Sequence, residues 1–313
     1  MSMFKKALTR LPIAISGLAL GNMALSNLFY HLNLSLCGLI CFIISWVILI
    51  LVFIKWIVMP QMFITELKNV NTFAILPTIP MSIMLLLFIM KTDFSVGMGL
   101  LDIIWYAAIM LHSFMIIMFL SFYAFRNYKS RPNTSWFVMF VGIGVIGETS
   151  PAFNSSVGLI ATMLGSLFLI AILIYVLISK TWQTYNQEQY PMVIIVSAPA
   201  ALCLNGYILN HSTYSTTYVV SFIILSQLLF VFSLLFFPTI FKRGFKVSFS
   251  ALTFPWVTTA ASLYNISQKI NFNVTLELLF DILSYVEIIW ATLIVIYVTY
   301  KYLVFLTAKH ESR

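Results

Sequence analysis

The stretch 35–59, SLCGLICFIISWVILILVFIKWIVM, decides the fold class of this chain. It carries a single charged side chain, Lys55, and its apolar residues run on continuously instead of alternating with polar ones. A helix needs about 20 such residues to cross the hydrocarbon core of a bilayer, whereas a barrel strand needs about ten with strict alternation. The stretch therefore predicts a transmembrane helix.

The rest of the chain has the same character. Of its 313 residues, 61% are apolar and 8% charged, and the mean hydropathy is +1.01. Soluble domains have roughly 45–50% apolar and 25% charged residues, so a water-soluble globule is excluded. We predict an all-α integral membrane protein with one transmembrane domain over residues 1–313. Its ten apolar segments, numbered segments 1 to 10 in chain order, are 12–30, 35–59, 72–90, 95–124, 134–150, 154–179, 191–210, 215–241, 247–267 and 276–306.

The basic residues predict the orientation. Ten crossings place fifteen of the seventeen Lys and Arg residues on the side shared by the two chain ends, and only Lys91 and Lys269 on the other. This positive-inside bias predicts a multi-pass protein of the plasma or inner membrane with both ends, including an uncleaved amino-terminal tail, in the cytoplasm. Topology thus explains the net charge of +8, and we expect no nucleic-acid partner.

The segments alternate in character. Odd segments start near residues 12, 72, 134, 191 and 247, with spacings of about 60, 62, 57 and 56, which indicates five repeated helical hairpins. Odd segments also hold interior helix breakers, whereas even segments are expected to have no interior proline. Broken backbone is tolerated in a membrane where it faces protein or a water-filled cavity. We therefore predict an inner pore ring of odd helices and an outer layer of even helices, the alternative being simple kinks in packed helices.

Small and weakly polar residues of the odd segments are the candidates for lining a path. Hydroxyl groups and broken helices can line an aqueous path without holding an ion tightly, which conduction requires. Close helix packing explains the same residue types, and both interpretations stay open at this point. The pore-lining candidates are Ser16, Gly17, Pro80, Pro199, Thr253, Pro255 and Thr258.

Ionisable residues inside the segments are few. Asp102 and His112 in segment 4 and Glu287 in segment 10 are candidates for proton coupling, with structural hydrogen bonding as the alternative. Glu148, at the outer end of segment 5, is the charged residue of an odd segment and places a negative charge near the outer mouth. So little charge in the predicted inner ring favours a channel-like conduit over a proton-coupled carrier.

No catalytic pattern is present. The chain lacks HExxH, GxSxG, Walker A and GxGxxG motifs, and its four histidines are scattered. Its cysteines Cys37, Cys41 and Cys203 lie in apolar runs and form no disulfide framework. We expect neither an enzyme nor a bound metal or cofactor.

Four stretches together resemble one known family. They are LPIAISGLALGNMALSNLFYH at 11–31, ILPTIPMSIMLL at 75–86, SAPAALCLNGYI at 197–208 and VSFSALTFPWVTTAASLY at 247–264. In this order they are similar to the tellurite-resistance/dicarboxylate transporter family, which includes bacterial tellurite-resistance proteins, malic acid permeases, fungal sulfite exporters and the plant guard-cell slow anion channel. The resemblance covers essentially the whole chain.

The resemblance implies a homotrimer with one pore in each subunit. It also implies that Phe254, just before the kink at Pro255, plugs the pore and that Gly17 lies beside the pore. We expect an anion channel or transporter in the lipid bilayer, with small inorganic or organic anions such as chloride, nitrate or malate as permeant species. A proton-coupled carrier of C4-dicarboxylates and an exporter of tellurite or sulfite remain the alternatives.

Overall fold

A computed structural model describes residues 8–97, 99–125, 131–270 and 274–308 of the chain. These residues are helical or lie in short connections, and no strand occurs among them. The α-helices are Ile15–His31, Ser35–Val58, Pro60–Leu67, Val70–Ala74, Thr78–Thr92, Gly99–Phe119, Ser135–Phe140, Gly144–Thr149, Ser155–Ser179, Ala198–Asn210, Thr216–Leu234, Phe237–Lys242, Thr253–Lys269 and Val274–Thr307. The 3₁₀-helices are Val141–Ile143, Ser150–Ala152, Thr181–Thr184, Tyr190–Ser197 and Val247–Leu252, and Leu120–Ala124 is a π-helical turn.

The odd segments form a closed inner ring. Segment 1 packs against segment 3, and then segments 3 and 5, 5 and 7, 7 and 9, and finally 9 and 1 pack in turn. Each even segment packs against the odd segment that precedes it. The Arg10 guanidinium donates a hydrogen bond to the Ala308 carbonyl, so the two ends of the described chain lie together. We call that side of the bundle the terminal end and the opposite side the far end.

The even segments form the outer layer. In their most apolar stretches only 28–39% of residues are buried, against 78% and 89% in segments 3 and 7. Their exposed side chains are large and apolar, such as Leu228 at 63% and Ile178 at 78% exposure. An apolar surface of this extent is stable only against lipid or another protein. The fold is therefore that of an all-α membrane protein, as the sequence predicted.

The odd segments are irregular at one level of the bundle. Segments 7 and 9 begin as 3₁₀-helices and become α-helical at Ala198 and Thr253. Segment 5 changes through the 3₁₀ turn Val141–Ile143, and segment 3 breaks between Ala74 and Thr78. Proline and glycine occur at or next to these changes, because neither favours a continuous α-helix. Broken backbone at one shared level is what creates an internal space there.

The structure refines the predicted segments. By length and composition, helices long and apolar enough to cross a membrane occur in seven of them, all except segments 1, 5 and 9, which hold shorter or interrupted helices. Ten crossings therefore stay a prediction. The expectation that even segments contain no interior proline is wrong for segment 8. Its helix ends at Leu234, and a new helix with Pro238 in its first turn begins at Phe237, since proline cannot continue a regular helix.

Candidate functional site: a cavity inside the odd ring

One cavity of about 240 Å³ lies inside the ring at the level of the broken backbone. All five odd segments line it, among others with Gly17, Thr78, Val141, Pro199 and Phe254. The connection between segments 6 and 7 adds Asn186, Glu188 and Gln189, and none of the described residues of an even segment lines the cavity. The cavity is therefore formed by the inner ring and its connections, without the outer layer.

Its walls change from polar to apolar with depth. Asn71, Asn186 and Ser248 line the mouth at the terminal end, where amide and hydroxyl groups are available. Leu20 and Leu202 line it further along their helices, about one and a half turns past Ile15 and one turn past Ala198. Such a gradient lets an ion keep its water at the mouth but removes it further in.

The charge of the cavity is almost nil. Among the described lining residues only Glu188 has a charged side chain. Its carboxylate lies 3.4 Å from Nζ of Lys246, and its backbone carbonyl accepts a hydrogen bond from the Ser248 hydroxyl. Both side chains of this pair are partly exposed to solvent, which screens their charges. The pair therefore contributes little charge to the cavity and mainly holds the connection in place.

Tyr185 anchors the same connection from the other side. Its phenol lies 2.7 Å from the Thr134 hydroxyl and accepts a hydrogen bond from the Thr134 N–H at 3.0 Å. Burial raises the pKa of Tyr185 above its ordinary value, so the phenol is protonated at neutral pH. The connection that forms part of the mouth is thus held at both of its ends.

The odd segments direct the positive ends of their helix dipoles to the cavity side. The cavity lies near the amino-terminal starts of the helices in all five odd segments. The first N–H groups are already bonded in 3₁₀ turns, for example Gly17 N–H to the Ala14 carbonyl at 3.0 Å. They therefore contribute partial positive charge, which favours an anion, but few free donors.

Phe254 is one of the residues that line the cavity. Its side chain is 7% exposed and is followed by Pro255, which also lines the cavity. Segment 1 approaches the backbone beside it closely, because a Cβ on Gly21 would lie 2.4 Å from Thr253 Oγ1 and 3.0 Å from the Phe254 nitrogen. The Thr253 hydroxyl also lies 3.1 Å from the Gly17 carbonyl. Segments 1 and 9 together therefore fix the position of Phe254.

The other pore-lining candidates separate into two groups. Gly17, Pro199 and Pro255 line the cavity. Ser16, Pro80, Thr253 and Thr258 do not: the Ser16 hydroxyl contacts that of Thr78 at 2.7 Å and so joins segment 1 to segment 3. Pro80 lies in the first turn of its helix, where its missing N–H costs little, and Thr258 follows Phe254 by one turn toward the far end. The roles of all of them in conduction stay predictions.

The three candidates for proton coupling lie outside the cavity. Asp102 pairs with Lys91 at the far end, and both side chains are partly exposed. His112 is buried behind segment 5, where its Nε2 lies 3.0 Å from the Met139 carbonyl. Glu287 is buried behind segment 9, beside Gln227 and Thr259. Their proposed function in coupling is not tested by this placement.

Glu148 does not present an exposed charge at the outer mouth. It is 5% exposed, and its Oε1 accepts a hydrogen bond from Asn205 Nδ2 at 3.5 Å. The sequence placed Glu148 at the outer end of segment 5, and its helix does end one residue later at Thr149, but a 3₁₀ turn follows over Ser150–Ala152 and the side chain lies inside the bundle.

Part of the mouth was not predicted from the sequence. Asn69, Asn71 and Asn186 line the cavity but lie in or near connections, outside the segments considered as pore elements. The sequence feature that could have indicated them is the frequency of uncharged amide residues in 69–71 and 183–189. Such residues are unusual in a chain whose connections hold so many basic residues.

Comparison with known proteins agrees with this architecture. A family model described as voltage-dependent anion channel matches residues 10–303, nearly the whole chain. None of the curated proteins compared with the chain matches it. The family consists of channels and transporters, which is consistent with a protein that is not an enzyme. The chain belongs to the voltage-dependent anion channel family and is a multi-pass membrane protein that moves anions.

Proposed function

We propose that the chain is a passive channel for small monovalent anions, closed by the Phe254 side chain. One observation supports the proposal: Phe254, a buried side chain whose backbone lies against segment 1, is among the residues that line the cavity formed by all five odd segments. We expect removal of the Phe254 phenyl ring to extend the cavity toward the far end.

The chemistry of the walls supports an anion that is weakly held. Amide and hydroxyl groups and the dipoles of five helices stabilise negative charge, yet no described lining residue carries a cationic side chain. A dianion such as malate would lose much more hydration energy in the apolar deep part and would meet no fixed cation there. We therefore propose chloride and nitrate as the permeant class, ahead of C4-dicarboxylates, tellurite or sulfite.

We propose further that the terminal end faces the cytoplasm of a plasma or inner membrane and that three chains assemble. The orientation is supported by the basic residues of that end, and the assembly by the family resemblance together with the exposed apolar faces of the even segments. Cross-linking in native membranes, read as the mass of the largest product, tests the trimer.

The test of the gate is anion current across a bilayer or oocyte membrane for the wild type and for Phe254→Ala. We expect the variant to carry at least about ten times the chloride current, as for a barrier lowered by 1.4 kcal/mol or more. Nitrate should permeate comparably and malate poorly. Phe114→Ala, which removes a ring 58% exposed on segment 4, is the matched control and should behave as the wild type.

The opposite result would favour a carrier. If both proteins carry no current and malate uptake follows a pH gradient, the passive channel is excluded. Asp102, His112 and Glu287 then become the groups to replace first.

A further inference from the structure

A line of buried polar groups continues beyond Phe254 toward the far end. On segment 9, Thr258, Ser262 and Asn265 follow Phe254 at intervals of four, four and three residues, so all four lie on one face of the helix. All three polar residues are buried, at 1%, 1% and 8% exposure. Segment 9 therefore presents hydroxyl and amide groups on the helix face that begins with Phe254 and runs toward the far end.

Hydrogen bonds join this face to segments 7 and 5. Asn265 Nδ2 donates to Asn205 Oδ1 at 3.2 Å, and Asn205 Nδ2 donates to Glu148 Oε1 at 3.5 Å. Each link points in the same direction, from amide donor to acceptor, and Glu148 is the last acceptor. Asn205 of segment 7 thus links Asn265 of segment 9 to the buried carboxyl group of Glu148 on segment 5.

Several polar atoms of this region have no partner. Among the described residues, Glu148 Oε2, Thr258 Oγ1 and Ser262 Oγ are buried and make no hydrogen bond. Buried polar atoms in native proteins are nearly always bonded to protein, water or ligand, so a cluster of bare ones requires an explanation. Two hydroxyl donors and one carboxyl oxygen on the inner ring are suited to a transient occupant that accepts hydrogen bonds.

The charge of the Glu148 carboxyl group affects whether an anion can bind beside it. Glu148 is in none of the three ion pairs of the described residues, so an ionised form would present an uncompensated negative charge to a passing anion in a medium of low dielectric constant. A proton removes that charge. Because Oε1 already accepts from Asn205, the proton would reside on Oε2, where the O–H group can donate to the anion.

Other titratable groups near Glu148 are occupied elsewhere. Lys91 pairs with Asp102, and Tyr207 stacks on His211 and Tyr218. Within the described chain, no hydrogen bond or ion pair links Glu148 to the titratable residues of the helices packed against its segment, which include Lys91, Asp102, Tyr106, His112, Tyr175, Cys203 and Tyr207.

We propose that Glu148, Thr258 and Ser262 form a second anion subsite on the far side of Phe254, which holds a small monovalent anion only when Glu148 is protonated. The proposal rests on the proposed channel function. It predicts that acid on the far-end side of the membrane increases the anion current.

The test measures chloride current through Phe254→Ala while the pH on the far-end side is lowered from about 8 to about 5.5, a range wide enough to titrate a buried carboxyl group. We expect the current to rise by at least about fivefold on acidification. Glu148→Gln in the same background should carry the high current at every pH, and Glu148→Asp should keep the response. Glu277→Gln, the same change at an exposed position of segment 10, is the control and should also keep it.

The outcomes separate the two proposals. A silent Phe254→Ala protein overturns the channel itself. A conducting protein whose current ignores far-side pH overturns the subsite alone, and that measurement needs no change at Glu148. A Glu148→Gln channel that still responds to pH also overturns it. As a further readout, Ser262→Ala should raise the chloride concentration at half-maximal current by about threefold, the loss expected for one hydrogen bond, and an unchanged value would remove Ser262 from the subsite.

Discussion

Segments 3 and 7 of the inner layer have an apolar composition similar to that of the outer layer but a different backbone. Mean hydropathy reaches 2.3 in segment 3 and 2.0 in segment 7, within the range of 2.0 to 3.1 found for the even segments. The even segments contain long α-helices, whereas segments 3, 5, 7 and 9 change between 3₁₀ and α or break outright. A regular helix satisfies its own backbone and can face lipid, whereas a broken one must face protein or water. Backbone regularity, more than hydrophobicity, therefore separates segments 3 and 7 from the outer layer.

The largest expected effect comes from a charge placed on the inner layer. A Cβ on Gly17 would lie 3.3 Å from Ser250, inside the cavity wall, so Gly17→Asp both narrows the cavity and repels anions. In the Phe254→Ala background we expect a fall in chloride current of at least about a hundredfold, equivalent to about 2.7 kcal/mol. Gly97→Asp adds the same group at an exposed position with no atom within 4 Å of its Cβ and should conduct normally. Normal flux through correctly inserted Gly17→Asp would show that this wall is not on the path.

Truncation of a leucine should distinguish the layers next. Leu204 in segment 7 is fully buried, and Leu228 in segment 8 is 63% exposed. Leu204→Ala leaves a cavity that neighbours cannot fill, and we expect a loss of about 2–4 kcal/mol in the free energy of unfolding. In Leu228→Ala, the shortened side chain and the surface that it uncovers both contact lipid. The free energy of unfolding should therefore fall by less than about 0.5 kcal/mol. Equal costs in detergent titrations of unfolding would contradict the two-layer interpretation.

A single methyl group tests the contact between segments 1 and 9. Gly21→Ala would press on Thr253 and the Phe254 nitrogen, and overpacking of this kind costs about 1–3 kcal/mol. Because the strain falls on the residue before Phe254, we also expect a measurable resting chloride current. Gly165→Ala, whose Cβ would come no nearer than 3.5 Å to another atom, should change neither stability nor current. A silent and fully stable Gly21→Ala protein would mean that Phe254 does not depend on this contact.

The smallest effect is expected at the surface of the outer layer. Asp102→Asn removes a partly exposed ion pair with Lys91, which is worth about 0.5 kcal/mol or less. Since the pair lies away from the cavity, the chloride current should stay within about twofold of that of the parent protein. A larger change would be expected if Asp102 coupled transport to protons. Loss of pH-driven uptake in this variant would instead support a proton-coupled carrier.

Patterns along the chain predicted much of the architecture but not its contacts. The spacing of the odd segments and the positions of Pro199 and Pro255 indicated an inner ring, because breakers recur at the same place in each hairpin. The approach of Gly21 to Thr253 was not predictable, since it joins residues far apart in sequence. The burial of Glu148 was not predicted, because the sequence does not show which side of a mixed α and 3₁₀ segment faces the interior of the bundle. Phe254 was identified through the family resemblance, because one phenylalanine among 28 has no local signal of its own.

The contact between Arg10 and Ala308 has a consequence for how the chain could be connected. Segment 10 returns to segment 1, where Asn22 and Thr299 lie within 3.4 Å, and the inner ring closes from segment 9 to segment 1. The five hairpins thus form a closed circle in space. The chain is interrupted between the last and the first hairpin, but the contacts of the ring do not depend on where that interruption lies. A circularly permuted chain, opened in the connection near Gly244 and joined through a short linker from the old end to the old start, keeps every contact of the ring and should insert as the same fold.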